Sequence, residues 1–249
     1  MIHELKEIIK QALINQEKGL KNLLATVVFL EGSSYRKPGV RMLISEDLSF
    51  VGAVSGGCVE KEIIHRATTV FRDNKPKVIT YDGRYKLGCE GILYILIEPF
   101  FVTNQFISAF SEANSKRESL QLTSYFKKEN EVFGKFGTSI TFKNKQQFAF
   151  TKTVITKSDV AVYKQILQPA FKLIIIGGEH DAVKLCKIAA TLGWEVEVIT
   201  SIKDSKQLTD FPGANNVTSE SPETIKFNNI NHNCALVLMN HSYVQDLKY

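Results

Sequence analysis

The chain has 249 residues, and its 31 basic and 26 acidic side chains give a formal net charge of +5. Apolar residues make up 44% and charged residues 23%, which is typical of a globular protein and excludes an intrinsically disordered chain. No stretch approaches the roughly 18 consecutive apolar residues of a membrane helix, and the first residues lack the apolar block of a signal peptide. We therefore expect a soluble cytoplasmic protein of one or two domains, with no membrane partner.

The first 157 residues combine helical and strand patterns, which predict a mixed α+β domain. The spacing of apolar residues predicts helices over 3–18, 59–72 and 103–113. Runs rich in β-branched and aliphatic residues predict strands over 23–30, 40–45, 77–81 and 92–98. Short β-like segments over 118–154 predict a small antiparallel extension of the same domain.

The pattern changes after Pro169 to strands that alternate with helices. Residues 158–168 are predicted to form a polar linker. Beyond it we expect strands over 173–176, 195–200 and 235–239 and helices over 182–192 and 243–247. This order predicts a Rossmann-like parallel sheet over residues 169–249. The fold class is therefore α/β, with an α+β domain preceding the Rossmann-like domain.

A glycine turn precedes the second predicted helix, with the sequence Ser55-Gly56-Gly57-Cys58 before Val59. The start of a helix exposes unpaired N–H groups and a partial positive charge, and glycines let an anion approach the backbone. A thiolate is stabilised in the same place, so we expect a lowered pKa for the Cys58 thiol. Cys58 is a candidate nucleophile, sulfur carrier or soft-metal ligand. The alternative is a small buried residue in a tight turn.

A second cysteine, Cys89, lies in another glycine-flanked turn just before the strand predicted at 92–98. Cys58 and Cys89 would be too few ligands for a structural zinc site, but they are candidates for one shared site. The remaining cysteines, Cys186 and Cys234, fall in a predicted helix and a buried strand, so we expect both to be core residues.

A basic loop follows the first predicted strand and contains Arg36, Lys37 and Arg41 among glycines and hydroxyl-bearing residues. Cations and a bendable backbone suit an anionic ligand. The alternative is a basic surface loop without a ligand.

Several segments, taken in chain order, resemble the XdhC/CoxI family. They are residues 31–42, 52–60, 88–91 with 97–99, the glycine loop at 176–182, and residues 239–243 with 246–247. The resemblance implies a maturation factor for molybdenum hydroxylases such as xanthine dehydrogenase, and not a turnover enzyme. Such factors bind molybdenum cofactor, support its sulfuration with a cysteine desulfurase, and deliver it to the apo-enzyme. They are commonly homodimers.

The resemblance also implies site residues in this chain. Cys58 would hold the cofactor through molybdenum or sulfur, with Cys89 as the second candidate. Arg36, Lys37 and Arg41 would pair with the pterin phosphate. The other predicted cofactor-binding residues come from the two glycine loops and are Ser55, Gly56, Gly57, Gly177, Gly178, His180 and Asp181.

The glycine loop of the second domain departs from the dinucleotide-binding pattern. Gly177 takes the first glycine position of G-x-G-x-x-G/A, but Glu179 takes the second. A side chain with a negative charge opposes the approach of pyrophosphate there. We therefore expect no tight binding of NAD(P) or FAD.

Polar residues follow two of the predicted strands in the second domain. His180 and Asp181 come after one strand and His241 follows another, so all three are expected near one edge of the sheet. They are candidates for a proton relay or a metal site. Solvated loop residues or a helix cap are the alternative.

Two other functions stay open from the sequence. One is an NAD(P)-dependent oxidoreductase that uses the Gly177 loop, and the other is a dimeric docking protein without a ligand. Nucleic-acid binding is not expected, because the sequence has no basic stripe with interleaved aromatic residues.

Overall fold

The computed structural model describes residues 2–55, 57, 59–85, 91–152, 155–156, 158–203, 206–227 and 230–249. The chain divides into two compact units, Met1–Gln168 and Pro169–Tyr249. No helix in these described ranges is long and apolar enough to cross a membrane.

The first unit mixes helices with antiparallel strands. Its helices are α1 (Ile2–Glu17), α2 (Glu60–Asp73) and α3 (Asn104–Ser115). Its strands are β1 (Asn22–Gly32), β2 (Arg41–Ser45), β3 (Phe50–Gly52), β4 (Lys77–Asp82), β5 (Gly91–Pro99), β6 (Leu120–Phe126), β7 (Val132–Phe133), β8 (Gly137–Thr141), β9 (Gln147–Ala149) and β10 (Ala161–Leu167).

Two antiparallel sheets organise this unit. The first has the strand order β3-β2-β1-β5-β4-β7, and the second has the order β10-β6-β8-β9. The long strand β1 lies inside the first sheet, where Thr26 pairs with Arg41 of β2 and with Leu96 of β5. The register between β1 and β5 shifts between Val27 and Phe29, which marks a bulge.

Helix α2 covers one face of the first sheet. Its residues Ile63, Ala67 and Val70 recur at helical spacing and are buried against strand residues that include Ala25 and Ile95. Burial of an aliphatic side chain of this size contributes roughly 1.5–3 kcal/mol, so this face supplies much of the stability of the unit.

The second sheet contributes to the opposite face of the first. Val28, Val78 and Leu96 point away from α2 and pack in one cluster with Phe126 and Phe136. Successive side chains of a strand point to opposite faces, so the central strands are buried on both sides. This explains their nearly continuous apolar sequences.

The prediction of a linker over residues 158–168 is wrong for the segment Ala161–Leu167, which forms the strand β10. Residues 161–167 pair with β6 along the full strand, from Ala161 opposite Phe126 to Leu167 opposite Leu120. The strand places Tyr163 and Gln165 toward the interior, where they approach Gly39. These inward residues are polar, so the segment lacks the apolar alternation that identifies a strand in a sequence.

The second unit is a parallel α/β sheet, which confirms the Rossmann-like prediction. It contains β11 (Lys172–Ile176), α4 (His180–Thr191), β12 (Glu195–Thr200), β13 (Asn216–Ser219), β14 (Cys234–Leu238) and the short helix α5 (Tyr243–Asp246). The strand order is β13-β12-β11-β14, and all three pairings are parallel. This order is the 3-2-1-4 arrangement of the first four strands of a doubly wound sheet.

Helix α4 packs on one face of this sheet through Ala182, Cys186 and Ala189. Cys186 is buried as predicted, and burial raises the pKa of its thiol. Cys234 is only partly buried at the start of β14.

Two buried charged residues, Arg41 and Glu98, lie inside the first unit, on the face of the first sheet opposite α2. Arg41 of β2 donates from Nη1 to the carbonyl oxygen of Gly39 at 2.7 Å, and Glu98 of β5 accepts from the backbone N–H of Thr138 at 2.9 Å. Burial lowers the pKa of Arg41 to about 10 and raises the pKa of Glu98 to about 7. The burial of Arg41 contradicts its predicted role as a phosphate ligand, because its guanidinium is enclosed by the protein.

We expect the stability of the first unit to fall as the pH rises from 5.5 to 8. The pKa of Glu98 is about 7 in the folded chain against an ordinary 4.5. The folded state therefore binds more protons between these values. The contribution of Glu98 to stability is greatest below pH 4.5 and is lost as the pH rises through 7, by up to about 3 kcal/mol. Urea unfolding followed by far-UV circular dichroism measures this difference.

The variant Glu98→Gln is the control for this prediction. Its amide oxygen still accepts from the N–H of Thr138, but the side chain does not titrate. Its unfolding free energy should be nearly constant from pH 5.5 to 8. An equal slope for the wild type and Glu98→Gln would contradict the prediction.

Candidate functional site

A small cavity lies where three segments of the first unit meet: the loop after β1, the turn before α2, and the adjoining ends of β4 and β5. Its volume is about 50 Å³. It is lined by Ser34, Tyr35, Arg36, Ser55, Val59, Tyr81, Gly83, Gly91 and Leu93. The structure therefore brings the predicted basic loop and the predicted glycine turn together.

Three predicted residues of this site, Gly56, Cys58 and Cys89, lie outside the described residues. The two chain neighbours of Cys58 are described. The backbone N–H groups of Gly57 and Val59 both donate to the hydroxyl oxygen of Ser55, at 3.2 and 3.3 Å. One oxygen atom thus accepts from the residues on both sides of Cys58.

The glycine turn is tied to α2 by Glu60, a residue to which the sequence analysis gave no role. Glu60 is 3% exposed, and its carboxylate accepts from the backbone N–H groups of Val54 and Ser55 at 3.2 and 2.7 Å. The Ser55 hydroxyl donates to the same carboxylate at 2.8 Å. The only hydroxyl proton of Ser55 is therefore committed to Glu60 and not to a ligand, although Ser55 lines the cavity. The signal in the sequence was a glutamate in the first helical turn, five residues after a serine.

The Glu60 carboxylate is ionised despite its burial. Burial alone would raise the pKa of Glu60, but the hydrogen bonds from the Ser55 side chain and from the backbone outweigh it and lower the pKa. Glu60 follows Cys58 by two residues in the sequence. The lowered pKa expected for the Cys58 thiol, which lies outside the described residues, stays a prediction.

The basic loop contributes one cation to the cavity. The Nε atom of Arg36 is buried and has no hydrogen-bond partner among the described residues, and its guanidinium carbon lies 5.6 Å from the ring centroid of Tyr35. Tyr35 is 83% exposed, and Lys37 is exposed outside the cavity lining. Of the three predicted phosphate ligands, Arg36 therefore faces the cavity, Lys37 lies at the surface and Arg41 is in the core.

Gly91 at the start of β5 allows the cavity walls to meet. A Cβ atom there would lie 2.5 Å from the carbonyl oxygen of Ser33 and 2.9 Å from that of Glu31. A side chain would push the basic loop away from β5, so glycine is required by this close approach.

The glycine loop of the second unit is packed against the protein itself. Gly177 has a φ of +139°, and a Cβ atom there would lie 2.5 Å from the carbonyl oxygen of Met239. The loop continues to Gly178, which is buried beside Thr200, and Glu179 then precedes α4 without a side-chain cap. Position 177 therefore requires glycine because the backbone at Met239, just after β14, lies too close for a side chain.

Two of the polar residues predicted near this sheet edge do meet. The Nε2 atom of His241 lies 3.7 Å from Oδ1 of Asp181, and both side chains are at least half exposed. His180 is also exposed. Within the described ranges of the chain, no three histidine, cysteine or acidic side chains form a group that could hold a metal ion.

These features define a two-unit protein, in which an α+β unit carries a basic cavity beside a glycine turn and a Rossmann-like unit follows. A model of the XdhC and CoxI family matches residues 16–82, and a model of the XdhC Rossmann domain matches residues 173–249. The two models together cover more than half of the chain, which therefore belongs to the XdhC and CoxI family.

One curated relative and one solved structure agree with this assignment. The chain is 27% identical over 243 residues to a probable xanthine dehydrogenase subunit of Bacillus subtilis, covering 88% of this chain and 72% of that protein. A crystal structure of a xanthine dehydrogenase from Bacillus halodurans superposes with a TM-score of 0.75 at 22% identity, over 96% of this chain and 76% of that one. At this identity, the second match shows the shared fold.

We predict that Glu60→Ala destabilises the first unit by about 2–4 kcal/mol, because three donors lose a charged acceptor. Glu62→Ala is the matched control, because it removes the same charge from the same helical turn. The Glu62 carboxylate pairs with Arg66 and not with the glycine turn. Its cost should stay below about 1 kcal/mol. Urea unfolding followed by far-UV circular dichroism gives both values, and similar costs would contradict the role assigned to Glu60.

We also predict that Gly177→Ala destabilises the second unit by about 3 kcal/mol or more, because of the positive φ and the contact with Met239. Gly178→Ala is the control. The nearest atom to its Cβ would be the Thr200 methyl group at 3.2 Å. The loss there should be about 1 kcal/mol or less. The fluorescence of Trp194, the only tryptophan, follows the unfolding of this unit. Equal losses would refute this explanation of Gly177.

Proposed function

We propose that this chain is an accessory protein of a molybdenum hydroxylase related to xanthine dehydrogenase. It binds molybdenum cofactor beside the Arg36 cavity, supports its sulfuration and delivers it to the apo-enzyme. The observation that carries this proposal is the meeting of the basic loop with the glycine turn that contains Cys58, in a member of the XdhC and CoxI family.

The cavity fits one oxyanion of such a cofactor. Its volume of about 50 Å³ is far below the roughly 300–1,000 Å³ of a typical small-molecule site. A phosphate oxygen group fits this space, and a pterin ring system does not. We propose that Arg36 pairs with the phosphate, while the rings stay outside the cavity near the exposed Tyr35.

Cys58 is the residue proposed to hold the other end of the cofactor. A thiolate is a soft ligand that suits molybdenum or carries sulfur. Cys89, close along the chain to the cavity residue Gly91, is the second candidate. The Ser55 hydroxyl accepts hydrogen bonds from the residues on both sides of Cys58. These bonds support a turn whose conformation is preorganised before a ligand binds.

The proposed partners follow from the same role. The curated relative carries the name of a xanthine dehydrogenase component, which supports an apo-enzyme of that class as the client. A cysteine desulfurase would supply the sulfur, and a homodimer is the proposed assembly. The Gly177 loop adds no support for NAD(P) chemistry, because packing against Met239 accounts for its glycine.

The test is anaerobic binding of freshly released molybdenum cofactor to the full chain, followed by gel filtration. The retained pterin is quantified as its fluorescent oxidised derivative. We expect retention by the wild type, loss in Cys58→Ala, and at least about 10-fold weaker retention in Arg36→Ala, because a charged hydrogen bond is lost.

Cys234→Ala and Lys143→Ala are the controls, since neither residue lines the cavity. Both variants should retain the cofactor as well as the wild type does. Absence of retention by the wild type would refute cofactor binding. Undiminished retention by Cys58→Ala and Arg36→Ala would refute the proposed site.

A further inference from the structure

A larger cavity, which the proposed function does not use, lies at the other end of β1. Its volume is about 510 Å³, within the usual range for a small-molecule site. The ends of α1 and α2, the start of β1, the end of β5 and residues 151–152 form its walls. All of its lining residues belong to the first unit and to the described residues.

The inner wall of this cavity is apolar. Leu23, Val70 and Phe100 are buried there, while Phe71 is partly exposed and Phe101 is 42% exposed. A flat apolar molecule would cover the exposed ring surface and gain roughly 25 cal/mol for each Å² removed from water.

The lining side chains carry three positive charges and no negative charge. Two of these cations have carboxylate partners: Lys21 lies 3.4 Å from Glu46, and Arg72 lies 2.7 Å from Asp73. Arg72 also lies in the last turn of α2, where it offsets the partial negative charge of that helix end.

Lys152 is placed differently from the other two cations. Its Nζ atom lies over the ring of Phe101, 4.0 Å from the ring centroid. A ring face orders an ammonium group without neutralising it, in contrast to a carboxylate. Lys152 therefore offers a positioned positive charge beside the exposed apolar surface.

We propose that this cavity binds a small organic anion with a flat apolar body, such as an aromatic carboxylate or sulfonate. Lys152 pairs with the anionic group, and the apolar wall covers the rings. Helix α2 connects the two cavities, and the residue steps from Val59, which lines the Arg36 cavity, to Val70, which lines this one, separate them by roughly 16 Å. It is thus a second site, separate from the one proposed for the cofactor.

The test uses two fluorescent probes that share their ring systems. 1-Anilinonaphthalene-8-sulfonate carries a negative charge, and N-phenyl-1-naphthylamine is the neutral counterpart. Each is titrated into the full chain at low ionic strength. We expect saturable 1:1 binding of the sulfonate that weakens about 3- to 10-fold in Lys152→Ala and is restored in Lys152→Arg. Binding of the neutral probe should be the same in all three proteins.

Lys143→Ala is the matched control, because it removes an exposed lysine charge outside the cavity. It should bind the sulfonate as tightly as the wild type does. Near-UV circular dichroism of each variant confirms that the probe reports on a folded chain. Absence of saturable sulfonate binding, or equal weakening by Lys143→Ala and Lys152→Ala, would overturn the proposal. Neither result depends on whether the chain retains molybdenum cofactor.

Discussion

The double burial of β1 is the constraint on which the first unit depends. Its residues Asn22–Val28 are buried on both faces, because α2 covers one side and the second sheet contributes to the other. A strand in this position has little freedom to shift, since a slip by one residue would exchange its two faces. The positions of both ends of β1 are therefore well defined. The larger cavity lies at its start and the Arg36 cavity lies beyond its end. Arg41 and Glu98 are both buried on the face of the sheet opposite α2, so the interior has a pH-dependent element beside its apolar packing.

The Arg36 cavity is shaped more by hydrogen bonds from backbone N–H groups to Glu60 and Ser55 than by side chains that point toward a ligand. Glu60 fixes the turn before α2 through the N–H groups of Val54 and Ser55, and the Ser55 hydroxyl extends this tie to Gly57 and Val59. Ser55 is fully occupied in this way, whereas Arg36 lines the cavity and its Nε has no partner among the described residues. The same logic applies in the second unit. There, the glycine that resembles a nucleotide-binding residue is required by the approach of Met239.

Much of the fold could be predicted from the sequence where a pattern repeats over many residues. The helices α1, α2 and α3 and the strands β1, β4 and β5 lie close to their predicted positions, and the parallel unit was expected from its alternating order. The short edge strands β3 and β13 were missed, because three or four residues carry too little periodicity. The strand β10 was mistaken for a linker, because two of its inward residues, Tyr163 and Gln165, are polar, while Val162 and Ile166 are exposed.

The sequence by itself determined the family, the order of the two units and the short list of residues that carry chemistry, since these depend on residue types and their spacing. Only the tertiary structure separated Arg36 from Arg41. Both are cations, five residues apart in the sequence, but the pairing of β2 with β1 buries Arg41, while Arg36 lies in the preceding loop at the cavity. Tertiary structure also placed Lys152 over Phe101, because this contact joins segments that local sequence patterns do not relate.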